Sequence, residues 1–155
     1  MANTGARAYY ILLETLKNSL LQNSNVNTVS TGDISQIDLS KQTIFPLSHI
    51  IINSATNSGQ VMTFNVTVLC MDKVNQLKTE QVNPFNNEAE HTVLNTQLAV
   101  SNKLYKDLYS GQLRLDGYQV DEDASIEFFF DRFENILAGV AMTLNIQLNN
   151  DLNVC

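Results

Sequence analysis

Two long segments of the chain alternate strictly between apolar and polar side chains. In residues 61–71 the even positions from Met62 to Cys70 are all apolar, while positions 61 to 69 in steps of two read Val, Thr, Asn, Thr and Leu. In residues 136–149 the even positions from Ala138 to Leu148 are apolar, and the odd ones from Gly139 to Asn149 read Gly, Ala, Thr, Asn, Gln and Asn. A period of two predicts antiparallel strands in a sheet that is covered on one face. The other face is amide and hydroxyl, so another chain can cover it without desolvating charge, which favours an assembling protein over an enzyme.

Two segments with helical periodicity are expected to form the covering layer. Residues 6–22, with Asn3 or Thr4 as the N-cap, carry an apolar stripe at helical spacing. Residues 88–109 carry a second stripe, with Asn86 or Asn87 as the cap and Gly111 ending the helix. The residues of the two stripes are Tyr9, Leu12, Leu13, Leu16 and Leu20, then Val93, Leu94, Leu98, Leu104, Tyr105 and Leu108.

The remaining strands are expected before and after the second helix. Residues 27–33 predict a short strand with Val29 facing inward, and residues 43–53 predict a strand in which Pro46 requires an edge position or a bulge. A polar turn over residues 53–60 would join residues 43–71 into a hairpin.

After the second helix, residues 117–123 predict an acidic loop or short strand. Residues 125–131 predict a strand with Ile126, Phe128 and Phe130 on one face. A turn at residues 132–135 would lead into the last long strand, and residues 150–155 form a tail.

Size and composition bound the fold class. The chain has 155 residues, 44% hydrophobic and 16% charged, which predicts a single domain over residues 1–155. The order of elements predicts the α+β class: a mainly antiparallel sheet of long amphipathic strands packed against two helices.

The charge pattern argues against two classes of partner. The net charge is −7, from 9 Lys and Arg against 16 Asp and Glu, and no basic residues cluster. Since phosphate and anionic lipid both attract clustered Lys and Arg, we expect no specific nucleic-acid binding and no membrane binding.

No apolar run reaches the roughly 20 residues of a membrane span, and residues 1–7 lack a signal-peptide pattern, so we expect a soluble cytosolic protein. Cys70 and Cys155 are expected to be unpaired in a reducing compartment.

Residues capable of catalysis or metal binding are sparse. His49 alternates with apolar neighbours and is expected to be structural, and His91 is expected on a helix surface. Cys70 is expected to act as a small buried hydrophobe. An acidic group can hold a divalent cation, although a solvated loop is the simpler interpretation; it comprises Asp116, Asp121, Glu122 and Asp123. We expect no catalytic residues, no metal and no cofactor, and we expect Arg132 to form an ion pair with a neighbouring acid.

Three segments of the chain carry a resemblance to a known family. They are residues 45–50 (FPLSHI), 64–72 (FNVTVLCMD) and 131–139 (DRFENILAG). With the order helix, hairpin, helix and closing strands, they resemble the tail-terminator and neck-ring proteins of tailed bacteriophages, in particular head–tail connector proteins of Bacteroides-infecting phages, including crAss-like phages. The resemblance covers residues 6–148, and the Asn content, about one residue in eight, agrees with such AT-rich genomes. Val140 departs from the pattern, because related segments favour an aromatic residue there, which leaves the subfamily open.

The resemblance implies a tail-terminator-like fold and a mechanical role. Such proteins form rings of six or twelve copies in the neck, join the portal to the tail and surround the DNA channel. We therefore expect a structural virion protein, made in the host cytoplasm, that contacts copies of itself and neighbouring portal, connector and tail proteins. DNA would pass through without specific binding, since an acidic surface repels it.

A closed ring requires two different patches on each subunit that meet head to tail. The candidate residues for these patches, or for the channel lining, are Asn53, Ser54, Asn57, Gln60, Asp121, Glu122, Asp123, Arg132, Asn149 and Asn150. We expect Asp121, Glu122 and Asp123 to face either the lumen or a basic patch on a neighbouring ring. Two alternatives stay open: a soluble assembly chaperone, which would leave the finished particle, and a small α/β ligand-binding enzyme.

Overall fold

The computed structural model describes residues 8–33, 44–74, 88–115, 117–121, 123–130 and 137–149, without the side chains of residues 88–90 and 149. The helices of this part of the chain are α1 (Ala8–Leu21), α2 (Glu88–Tyr109) and α3 (Gln112–Leu115). Its strands are β1 (Thr28–Thr31), β2 (Leu47–Ser58), β3 (Val61–Lys73), β4 (Gln119–Val120), β5 (Ser125–Phe130) and β6 (Leu137–Asn149).

All the described strands join one sheet, in the order β1-β2-β3-β6-β4, and β5 also pairs with β6. The centre of the sheet is β3 and β6, which pair along their whole length from Val61 opposite Asn149 to Lys73 opposite Leu137. Among the described pairings only that of β1 with β2 is parallel. The prediction of an α+β fold with a mainly antiparallel sheet and two long helices is confirmed.

The two long helices cover one face of the sheet, which we call the helix face. Leu12 and Leu16 of α1 and Leu104 and Leu108 of α2 are at most 1% exposed and belong to one apolar cluster. The same cluster contains the apolar alternate positions of the central strands, from Phe64 to Cys70 and from Val140 to Leu148. Because each fully buried Leu-sized side chain stabilises the fold by about 1.5–3 kcal/mol, this layer is the main source of stability.

The opposite face of the sheet, which we call the back face, divides into two halves. At one end lies a second, smaller apolar cluster of Phe45, Leu47, Met71, Phe129 and Leu137. Toward the other end the back-face positions of β3 and β6 become Asn, Thr and Gln. The uncharged polar face expected from the sequence is therefore one half of the back face.

The bounds of α1 agree with the prediction within the described residues, but Tyr9 was wrongly placed on its buried stripe. Tyr9 is 54% exposed, whereas the buried residues are Ala8, Leu12, Leu16 and Leu20. These four follow one line of i, i+4 positions, and Tyr9 lies about 100° around the helix from that line.

The bounds of α2 are those predicted, but its buried stripe contains polar residues. The stripe consists of Gln97, Val100, Ser101, Leu104 and Leu108, while Leu98 and Tyr105 are only partly buried. The Gly111 amide donates to the Lys106 carbonyl at 3.0 Å, which ends the helix as expected. The short helix α3 that follows was not predicted.

The predicted strand over residues 43–53 and turn over residues 53–60 were both misplaced. β2 begins at Leu47, so Pro46 precedes the strand, where its carbonyl accepts from the amides of Asn27 and Thr28. β2 then continues to Ser58, and its last five residues pair with β3. The turn is only Gly59 and Gln60, with Gly59 at φ 71°, a conformation that favours glycine.

Several predicted features lie outside the described residues. They are the caps at Asn3, Thr4, Asn86 and Asn87, the turn at residues 132–135 and the tail at residues 150–155.

Candidate interaction surfaces

A series of hydrogen-bonded amide and hydroxyl side chains crosses the polar half of the back face. We call it the polar ladder; it consists of Asn53, Asn65, Thr67, Thr143 and Asn145. Asn53 Nδ2 donates to Asn65 Oδ1 and to Thr67 Oγ1, both at 2.9 Å. Asn65 Nδ2 donates to Asn145 Oδ1 at 2.9 Å, and the hydroxyls of Thr67 and Thr143 lie 3.3 Å apart. The ladder is uncharged and makes these hydrogen bonds within one chain, so covering it leaves them intact.

A β-bulge places the first residue of the ladder. The pairing of β2 with β3 shifts register between Ile52 and Ser54, so Asn53 is an extra residue on β2. Its amide reaches Asn65 and Thr67 on the neighbouring strand. No sequence pattern marked this bulge, and Asn53 was expected where the strand over residues 43–53 ends and the turn over residues 53–60 begins.

Five of the ten candidate interface residues meet at the ladder end of the sheet. Asn53, Ser54, Asn57 and Gln60 are all exposed on the β2–β3 hairpin, and Asn149 pairs with Val61 at the same end. The hairpin therefore presents the first four of these residues beside Asn149 of β6, at one end of the sheet.

Asp121 extends this polar surface beyond the ladder. Its amide donates to the Asn145 carbonyl at 3.1 Å, and Gln147 Nε2 donates to its Oδ1 at 2.9 Å. Asp123 is exposed. Asp121 is thus tied to β6, and Asp123 projects into solvent, while Glu122, Arg132 and Asn150 lie outside the described residues.

The acidic group does not form a metal site within the described part of the chain. No three His, Cys, Asp or Glu side chains there converge in a way that holds an ion. Asp116 and Glu122 lie outside the description.

His49 is buried and hydrogen-bonded, as predicted for a structural histidine. Its Nε2 lies 2.7 Å from the Gly32 carbonyl, which can only accept, so Nε2 carries the hydrogen. In the neutral ring Nδ1 then accepts from the Ser30 hydroxyl at 2.7 Å. Burial lowers the pKa of His49 below 6.5, against smaller opposing effects of the Gly32 hydrogen bond and Asp33. His91 is exposed, as predicted.

Cys70 lies on the helix face as a buried, unbridged thiol. Burial raises its pKa to about 12, although the Ser48 hydroxyl, 3.9 Å from Sγ, acts in the opposite direction. The thiol is therefore protonated near neutral pH and unreactive as a nucleophile.

Two further surfaces were missed by the sequence analysis. A groove of about 380 Å³, which we call the α1–β1 groove, is lined by residues that include Tyr10, Leu13, Lys17, Val29 and Ile50. A second groove, of about 800 Å³, is lined by Tyr109, Ser110, Arg114, Leu115 and Val120. Grooves between elements depend on how the elements pack, so no sequence pattern marks them.

The strand β5 also exposes apolar side chains, two of which lie on the face where the sequence predicted them together. Ile126 and Phe128 lie opposite Met142 and Val140 of β6, which places them on the helix face. They are nevertheless 36% and 54% exposed. Phe129, on the back face, is instead the buried residue of this strand.

No protein-family model matches the sequence. No curated protein shows significant similarity to it.

None of the described helices combines the length and the hydropathy needed to cross a lipid bilayer.

Proposed function

We propose that this protein is a structural virion subunit that forms a ring in the neck of a tailed bacteriophage, between portal and tail. The polar ladder is the observation that carries the proposal. It is an uncharged surface whose side chains are hydrogen-bonded to one another, so a neighbouring protein can cover it without desolvating charge. The resemblance of residues 45–50, 64–72 and 131–139 to phage connector proteins supports the neck as its location.

The architecture of the sheet supports head-to-tail assembly. Among the described strands, β1 pairs only with β2, and β5 pairs only with β6, on opposite sides of the sheet. The two edges differ in length and sequence, so each subunit carries two unlike surfaces. Rings require such heterologous surfaces, whereas a two-fold dimer uses the same surface twice.

The acidic composition supports a position around DNA. With a net charge of −7, the subunit repels the phosphate backbone. A channel lined by such subunits lets DNA pass without specific contacts.

A pair of adjacent substitutions tests whether the ladder face is covered in the virion. Ser54 and Ala55 are both exposed, but Ser54 lies opposite Asn65 on the back face and Ala55 lies opposite Phe64 on the helix face. We predict that Ser54→Lys, supplied from a plasmid to a phage lacking this gene, fails to restore titre, because a charge beside the ladder must be desolvated. Ala55→Lys should restore it.

Both variant proteins should keep the melting temperature of the wild type, since both positions are exposed. Heads and tails that do not join should accumulate with Ser54→Lys and be visible by electron microscopy. Full titre with Ser54→Lys would contradict coverage of the ladder face.

A further inference from the structure

Ile126 and Phe128 form an exposed apolar pair on β5, which among the described strands lies at an edge of the sheet. Both project from the helix face, opposite Met142 and Val140, and Phe128 is 54% exposed. Edge strands usually avoid such side chains, because an apolar edge invites pairing with another strand. The position of Ile126 and Phe128 at this edge makes the pair a candidate for contact with another strand.

The α1–β1 groove lies at the opposite edge of the same sheet and on the same face. Val29 of β1 pairs with Ser48, which in turn pairs with Cys70, so Val29 projects from the helix face. Between it and α1 the groove is lined by Tyr10 and Leu13, with Lys17 also contributing. Tyr10 is 61% exposed, so the groove presents an aromatic side chain that is largely uncovered.

We infer that β5 of one subunit lies alongside β1 of the next, so that Ile126 and Phe128 enter the α1–β1 groove and the sheet continues from copy to copy. Alternate residues of a strand project to the same face about 6.6–6.8 Å apart, which brings both side chains over the groove together. The inference rests on the proposed function, to which it adds a contact between neighbouring subunits at the edges of the sheet, separate from the covered ladder face.

A second copy is the occupant that these surfaces fit. The Ile126–Phe128 pair and the α1–β1 groove lie on the same face of the sheet, at its two opposite edges. When β5 of one subunit is added to β1 of the next, the helices of both subunits therefore stay on the same side of the continued sheet. β1 carries no charged residue. Glu127 of β5 lies opposite Ala141 on the back face, so it does not approach Glu14 and Lys17, which line the groove on the helix face. The exposed end of β2 offers no comparable site, since its sequence from Asn53 to Ser58 has no large apolar side chain.

Disulfide trapping tests the contact. In a Cys155→Ser background, Tyr10→Cys protein is mixed with Phe128→Cys protein at about 1 mM and oxidised, which captures weak association. Cys70 is buried and does not interfere. The matched control is Tyr9→Cys, because Tyr9 is 54% exposed on the same helix but does not line the groove.

The expected result is a yield of mixed dimers roughly tenfold higher with Tyr10→Cys than with Tyr9→Cys, since only the first thiol is held near its partner. A chain carrying both Tyr10→Cys and Phe128→Cys should give a ladder of multimers. Equal yields from Tyr9→Cys and Tyr10→Cys, or only Phe128→Cys homodimers, would overturn the inference.

A second measurement tests the head-to-tail arrangement without cross-links. Phe128→Asp and Tyr10→Asp should each sediment as monomers, while their equal mixture should form dimers that grow no further, because one intact contact remains per pair. Leu115→Asp, a change at a residue 80% exposed elsewhere, should assemble as the wild type does. Wild-type assembly by Phe128→Asp alone would overturn the inference.

The failure of this inference and the failure of the proposed function are distinguishable. Absence of the specific cross-link in a protein that is present in virions overturns the β5–β1 contact and leaves the virion role standing. The specific cross-link in a protein that is absent from virions supports the contact and overturns the virion role.

Discussion

Gln97 is buried on α2 among the apolar side chains of the core. It is fully buried, and its amide nitrogen and oxygen have no hydrogen-bond partner among the described residues. An unsatisfied buried polar group costs about 1–3 kcal/mol, so this position reduces the stability of the helix layer.

We predict that Gln97→Met raises the free energy of unfolding by about 1 kcal/mol, because the unpaired amide is replaced by an apolar chain of similar shape. Urea unfolding measures the change. Gln147→Met is the matched control: it removes the hydrogen bond to Asp121 and should lower stability by about 1 kcal/mol. A loss of stability in Gln97→Met would contradict this account of the residue.

His49 makes stability depend on pH. Burial lowers its folded-state pKa below the 6.5 of the unfolded chain, so near and below pH 6.5 the unfolded chain binds a proton that the folded chain does not. We therefore predict that the free energy of unfolding falls as pH drops from about 7.5 to about 5.5.

His49→Gln is the control for this pH dependence. It should be less stable throughout but lack the slope that His49 contributes, as measured by urea unfolding at each pH. The same slope in both proteins would show that other groups cause it.

At the scale of elements, Gly139 leaves no room for a side chain between β6 and β3. A Cβ atom there would collide with the Cys70 carbonyl oxygen and lie 2.8 Å from Met71 Cα. We predict that Gly139→Ala lowers the free energy of unfolding by about 1–3 kcal/mol or more, since two central strands must move apart. Ala141→Gly, on the same face of the same strand, should cost no more than about 1 kcal/mol. If Gly139→Ala were as stable as the wild type, the two strands could move apart at no cost in free energy, which would contradict the prediction.

Elements with a strong period were predictable from the sequence. The bounds of α2 follow from its apolar spacing and from Gly111, and β3 and β6 follow from strict alternation over many residues. These patterns are local, and tertiary packing reinforces them.

Elements that depend on partners were not predictable. The segment from Asn53 to Ser58 has weak strand propensity, yet pairing with β3 and the hydrogen bonds of Asn53 hold it extended. The two-residue turn at Gly59 was nevertheless predictable, because two-residue loops that contain glycine are the commonest connections in β-hairpins. The exposure of Phe128 was not predictable either, because alternation assigns a side chain to a face of the sheet but does not show whether another element covers it.

At the scale of the whole molecule, the sequence predicted that one face of the sheet is polar and uncharged, but it did not predict how the side chains of that face are arranged. The polar back face was expected, and Asn53 and Asp121 were named, but the ladder requires cross-strand register between residues about 80 positions apart, such as Asn65 and Asn145. The α1–β1 groove was missed because it arises between two separate elements.

The acidic residues that follow β4 in the sequence give a prediction about assembly. We expect these charges to face either the channel or a basic neighbour, so we predict that reversing Asp121, Glu122 and Asp123 together to Lys hinders assembly or DNA ejection. Plaque titre after complementation measures the effect. Asp121→Asn is the control, since its amide oxygen still accepts from Gln147 and it removes only one charge. An unchanged titre for the triple variant would contradict the prediction.

The central claim is that this protein is a permanent ring component of the virion. The most direct measurement is calibrated peptide mass spectrometry of gradient-purified phage particles from a host culture that expresses this gene, which counts copies per particle. We predict about six or twelve copies, the ring sizes that the resemblance to neck-ring proteins implies. Finding no copies would contradict it and favour the assembly chaperone or the ligand-binding enzyme.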